Sequence, residues 1–109
     1  MLGVFISIPM NGRTDEQIDE ERASIMAYLK ELLGECEELP SHFRSEYASK
    51  LRPLECLGLA LELMSHADVV VFARGWEEAR GCRIEHECAL QYGYKIIDLS
   101  DGQNEVNLV

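Results

Sequence analysis

Short apolar runs that alternate with segments of helical spacing constrain this chain more than any other feature, because the alternation dictates how its strands must pair. Leu2 to Ile8 is rich in Val, Phe and Ile and stops at Pro9, which suits a buried strand ending in a loop. Thr14 followed by Gln17 fits a capping box, and Ile18, Ile25, Met26, Leu29, Leu32 and Leu33 then recur at helical spacing up to Gly34, so a first helix is expected over 14–33. A weak strand is expected at Cys36 to Leu39, before a polar loop through His42 and Arg44. Pro53 opens a second helix through Met64, with Leu54, Leu57, Leu61 and Met64 on one stripe and Leu59 and Leu63 off it. Asp68 to Ala73 reads as a strand, Gly81 to Tyr92 as a third helix and Lys95 to Leu99 as a final strand. Strands alternating with helices pair in parallel through crossovers. The expected architecture is therefore α/β, a small doubly wound (Rossmann/flavodoxin-like) parallel sheet of about four to five strands with helices on both faces.

The 109 residues make a single domain, 1–109, and 47% hydrophobic against 28% charged side chains suits an ordinary globular chain. A formal charge of -10, from 20 acidic and 10 basic side chains, opposes a phosphate backbone at every approach and argues against nucleic acid and anionic membrane as partners. A small anionic ligand remains compatible, because local arginines and helix-terminal amides overrule a distant net charge. Cys36, Cys56, Cys82 and Cys88 form no Cys-x-x-Cys pair, and Met1 to Met10 lacks a basic leader with a cleavage site, so reduced thiols and a cytoplasmic location are expected. Apolar stretches such as Val69 to Ala73 fall far short of the roughly 20 residues a membrane-spanning helix needs. The second helix is apolar on two sides. One side covers the sheet, and Leu59 and Leu63 on the other call for a symmetric partner, so a homodimer or higher homo-oligomer is expected. The polar tail from Ser100 to Asn107 is expected to trail over the surface or over a partner subunit.

In sheets of this kind ligands bind beyond the carboxyl ends of the strands, where the strand order reverses. Two loops leave those ends with unusual content: Pro9-Met10-Asn11-Gly12-Arg13, and Arg74 to Gly81 with Trp76 inside it. They are expected to face each other. In the third helix Glu85, Cys88, Ala89 and Tyr92 share the stripe that packs on the sheet, which puts a carboxylate on the inward side. Helix-terminal amides favour its anion, and an ionised, partly desolvated carboxylate at a strand-end crevice is the form a nucleophile requires. The structural alternative is an ion pair of Glu85 with Arg80 or Arg83.

Gly81-Cys82-Arg83-Ile84-Glu85-His86-Glu87-Cys88-Ala89, with Gly93 and then Lys95-Ile96-Ile97, resembles the nucleoside 2-deoxyribosyltransferase-like superfamily. So do Phe5-Ile6-Ser7-Ile8-Pro9-Met10-Asn11-Gly12-Arg13 and Ala67-Asp68-Val69-Val70-Val71. The likeness is greatest to a small phage and bacterial branch marked by a "PMNG" loop and a "GW...RG...E" segment. The resemblance implies a Glu85 nucleophile that attacks C1′ of a nucleoside or nucleotide, release of the base, and resolution of the glycosyl ester by a second base or by water. It implies no metal and no other cofactor. A carboxylate there meets the positive charge of an oxocarbenium-like transition state, and two displacements retain configuration. Family members often orient the nucleophile with a tyrosine on the first strand, where the nearest position in this chain is Phe5. The candidate substrate-binding residues are Ser7, Met10, Asn11, Gly12, Arg13, Trp76 and Gly81.

Several of these residues have a second reading. Asn11, Gly12 and Arg13 make either a 5′-phosphate cradle, as in the nucleotide N-glycosidase members, or a plain turn with a surface arginine. Trp76 stacks on a base, plugs the core or lines a dimer seam. Arg22, on the apolar stripe of the first helix, reaches the strand ends to meet a ligand or a carboxylate, or spans a subunit contact. Asp68 reads as a helix-to-strand junction, and Cys82, His86 and Cys88 lack zinc-ligand spacing. The leading function is thus N-glycosidic chemistry on a nucleoside or nucleotide. Hydrolysis of NAD at the same kind of bond and a non-catalytic nucleotide-binding or regulatory module are the alternatives.

Overall fold

The computed structural model describes residues 1–41, 45–100 and 107–108. In chain order the elements are β1 (Leu2–Ser7), α1 (Asp15–Leu33), β2 (Cys36–Glu38), the short α2 (Ser45–Ala48), α3 (Pro53–Met64), β3 (Val69–Phe72), a 3₁₀ turn Trp76–Glu78, α4 (Arg80–Gln91), β4 (Lys95–Asp98) and β5 (Asn107–Leu108). The sheet order is β2-β1-β3-β4-β5. The first four strands are parallel, with Val4 opposite both Glu38 and Val69, and Val70 opposite Ile96. β5 adds an antiparallel edge to β4. This is the flavodoxin-like winding expected from the alternation.

Local chemistry explains the element ends. Thr14 accepts the Gln17 amide at 3.1 Å while the Gln17 side chain accepts the Thr14 amide at 2.9 Å, a reciprocal cap that starts α1. Gly34, at a φ of 81, stops it in a conformation L side chains rarely adopt. Strand alternation then divides the interior. Val4, Ile6, Val69, Val71 and Ile97 face Ile18, Ile25 and Leu29 of α1. Phe5, Val70, Phe72 and Ile96 face Ala60 and Met64 of α3 and Ala89 of α4. Strands covered on both faces read as continuous apolar runs, which is how they stood in the sequence.

Several outcomes differ from the sequence pattern. Leu54 is 78% exposed rather than on the inward stripe of α3, and Tyr92 is 81% exposed just past the end of α4. Both lie at helix ends, where the inward side of the helix has no sheet left to cover. Leu63, expected to lack cover, packs partly against the chain's own core, so the outward apolar surface of α3 falls to Leu54 and to Leu59, which is 37% exposed. Cys82 was not on the expected inward stripe but is buried beside Glu85 and Ala89. Of the tail expected to trail away, Asn107 joins β5, and residues 101–106 lie outside the described residues, as do His42 and Arg44. Among the described residues no helix is long and apolar enough to cross a membrane.

Candidate active site

The chain runs from β1 outward to β2 and then returns past β1 to β3, so the carboxyl ends of β1 and β3 lead to helices on opposite faces. In sheets of this kind the strand ends at such a reversal are where ligands bind. Ser7, the last residue of β1, points to the α4 face, and its hydroxyl donates a hydrogen bond of 2.6 Å to Glu85 Oε1. Both residues are buried, at 2% and 8% exposure. Burial raises the Glu85 carboxyl above its ordinary value, and the Ser7 hydrogen bond partly offsets that rise.

The position of Glu85 corrects the expectation that helix-terminal amides favour its anion. The residue sits in the second turn of α4, beyond the free amides, and Ser7 is its hydrogen-bond partner among the described residues. Nor does it pair with the arginines of its own helix: Arg83 donates to the Glu77 carbonyl at 3.1 Å. Cys82, one turn before Glu85 on the same face, is pushed up to about 11 by burial, with the Glu85 charge adding to the rise and Ser7 opposing it. A rise of this kind favours the protonated thiol over the nucleophilic thiolate.

Beside this pair stands an aromatic cluster. The Trp76 ring stacks on His86 at 4.0 Å and meets Phe72 at 5.5 Å, while its indole nitrogen donates to Asp98 Oδ1 at 3.0 Å. Desolvation works to raise the Asp98 carboxyl, but hydrogen bonds from the Ser100 amide, the Trp76 indole and the Ser100 hydroxyl, together with nearby His86, outweigh it and hold the group below its usual range. Trp76 therefore plugs the carboxyl end of β3 and β4, with one ring face already taken by His86. Asp98 was not singled out in the sequence, and His86 stood there only as a residue without zinc-ligand spacing. Asp98 was nonetheless legible, because strand alternation places it on the same side as Ile96, toward α4.

The remaining candidates divide. The two loops do meet: a Cβ at Gly75 would lie 3.7 Å from Pro9 Cγ. Met10, Asn11 and Gly12 form an exposed turn, closed by the Arg13 amide on the Met10 carbonyl at 3.2 Å, with Gly12 at a φ of 75. Arg13 is committed to its own surroundings, donating to the Pro9 carbonyl at 2.9 Å and pairing with Glu21. Gly81 is exposed in the first turn of α4, where a Cβ would meet nothing within 4 Å. Arg22 is 6% exposed and pairs with Glu38, which selects the carboxylate reading over a subunit contact. Asp68 accepts the Gly3 amide at 2.8 Å at the opposite end of the sheet, a junction role. Among the described residues no group of three His, Cys, Asp or Glu side chains is placed to hold a metal ion.

A parallel α/β domain with a buried carboxylate set against a strand-end hydroxyl at the point of strand reversal is the class that this fold and site define. The chain belongs to the family described as a domain of unknown function (DUF4406), which matches residues 2–98. Comparisons with curated proteins and with solved structures find no match.

Proposed function

We propose that this protein breaks or exchanges the N-glycosidic bond of a nucleoside or nucleotide, with Glu85 as nucleophile and Ser7 as its positioning residue. The observation that supports this reading is the buried Ser7–Glu85 hydrogen bond of 2.6 Å at the carboxyl end of β1. The resemblance of the Gly81 to Ala89 segment and of the β1 loop to the nucleoside 2-deoxyribosyltransferase-like superfamily points the same way. With Oε1 held by Ser7, the other carboxylate oxygen is the one to attack. As it bonds to C1′ the bond from C1′ to the base nitrogen breaks, and the base leaves with its electron pair and takes a proton. Water or a second base then attacks C1′ and frees Glu85, with retention. The hydroxyl supplies on Ser7 what Phe5 lacks. A 5′-phosphate on the Asn11 to Arg13 turn requires Arg13 to exchange Glu21 for the ligand.

The experiment incubates the protein with nucleosides, deoxynucleoside monophosphates and NAD and measures released base by chromatography. Release from any of these supports N-glycosidic chemistry, and the panel separates nucleoside, nucleotide and dinucleotide substrates. A second reading, a nucleotide-binding or regulatory module without turnover, draws support from the fact that no cation or amide is bonded to Glu85 among the described residues. Binding without release selects it.

The pH dependence follows from the carboxyl. Only the anion attacks, and Glu85 ionises above its ordinary value, so base release is expected to fall on the acid side at a higher pH than an exposed glutamate gives. Ser7→Ala removes the contribution that lowers this value. Its acid limb is expected to move further up, and kcat to drop roughly tenfold to a hundredfold with little change in KM. A Ser7→Ala profile that overlays the wild type removes Ser7 from the mechanism, whereas Ser7→Thr, which keeps the hydroxyl, is expected to restore the limb.

A further inference from the structure

The two edges of the sheet differ in character. β5 covers β4 at one side, but β2 ends the sheet at the other, and among the described residues no strand pairs with its outer side. Leu39 donates its amide to the Val4 carbonyl at 2.8 Å, so the alternation of a parallel ladder turns the main-chain groups of Glu37 toward β1 and those of Cys36 and Glu38 outward. Exposed main-chain donors and acceptors in a row are a template for another strand.

Beside this edge, a groove of about 840 Å³ lies between α1 and β2. Met1, Ala23 and Met26 give it an apolar lining, and methionine adapts its shape to what it touches. Glu35 and Glu37 stand on its rim with Lys30. Glu38 is already held by Arg22, but Glu35 and Glu37 are exposed and make no ion pair among the described residues. The charge decides the occupant. A second copy of this chain would bring its own Glu35 and Glu37 against the same pair, and like charges placed across strands repel. The whole chain, at -10, also draws cationic partners toward it.

We propose that the free edge of β2 and the groove beside it receive an extended basic segment of another protein, which joins the sheet as an additional strand. Its main chain bonds to Cys36 and Glu38, alternate apolar side chains settle on Met1 and Met26, and lysine or arginine side chains between them meet Glu35 and Glu37. This is strand addition with specificity from alternate side chains. It is independent of the chemistry at Glu85.

The test titrates the full chain with an alternating lysine–valine octapeptide while following amide resonances and hydrogen exchange. The Cys36 and Glu38 amides are expected to shift and their exchange to slow at least tenfold. The glutamate–valine counterpart is expected to leave them unchanged. Glu35→Gln combined with Glu37→Gln, two exposed substitutions that leave the core untouched, is expected to weaken the lysine peptide at least tenfold. A lysine peptide with proline at alternate positions, which keeps the charge but loses main-chain donors, separates strand addition from charge attraction alone. Equal binding of the proline peptide overturns the proposal, as does binding that shifts residues elsewhere or no binding at all. Protection of Cys36 and Glu38 without peptide, in a sample that sediments as a dimer, overturns it in favour of a second copy.

Discussion

Glu85→Gln is expected to abolish base release and, in the same variant, to raise the thermal midpoint. Loss of a nucleophile costs roughly 10³-fold or more in kcat, since a neutral amide cannot form the glycosyl ester. The gain in stability has a separate origin. Burial raises the Glu85 carboxyl above its ordinary value of 4.5, so the fold prefers the protonated form. The stability this contributes is fully present below the unfolded value and is lost as pH rises through the folded one. Wild type and variant are therefore expected to melt alike in acid and to part as pH rises toward neutrality, the glutamine form being the more stable. Ser7 can still donate to the amide oxygen. A difference of about 1 kcal/mol moves the midpoint by roughly 4–8 °C in a domain of about this size. Calorimetry across pH, paired with the chromatographic assay, checks both halves. Unchanged base release removes Glu85 as the nucleophile, and a lower midpoint at neutral pH restores a structural role for its charge.

The second large effect is expected at Phe72. Its side chain has no exposed area, ends β3, and packs edge-on against His86 at 4.7 Å and tilted against Trp76 at 5.5 Å. Phe72→Ala is expected to cost about 3–5 kcal/mol, a large part of the roughly 5–15 kcal/mol that holds most domains together. Denaturant titration measures it as a lower midpoint at unchanged slope. Trp76 is the only tryptophan, so its emission reports whether the stack on His86 outlives the cavity beneath it. A loss below about 1 kcal/mol with unaltered emission contradicts the role given to this ring.

Much of this architecture was legible because single residues and spacings carry it. Thr14 with Gln17, Gly34, and Pro53 marked helix ends that the structure reproduces to within one residue. Glu85 was legible as an inward carboxylate because period 3.6 put it in line with Ala89. Periodicity states which residues share a face, however, and not how far the neighbouring layer extends, so Leu54 and Tyr92 fell beyond the sheet. Phe5 and Ser7 share a face of β1, and which of them meets Glu85 depends on where α4 lies along the strand, a long-range property that no local pattern encodes. The Trp76–Asp98 bond joins residues 22 apart, and the two-residue β5 offers no periodicity to read. The upward shift of the Glu85 carboxyl comes from desolvation, which composition does not reveal.

The position of β1 between β2 and β3 bears on how the chain comes to be folded. Its neighbour β3 lies far along the chain: Gly3 bonds to Asp68 across a separation of 65 residues. At the usual rate of about 5–20 residues per second, a ribosome takes roughly 3–13 s to make that stretch. Until then β1 has only the three-residue β2 beside it. The central ladder thus closes late, by a large loop whose entropy is lost before its contacts form, and such non-local pairing slows folding. Until then the Phe5 side of Leu2–Ser7 lacks the residues of α3 and α4 that cover it in the fold.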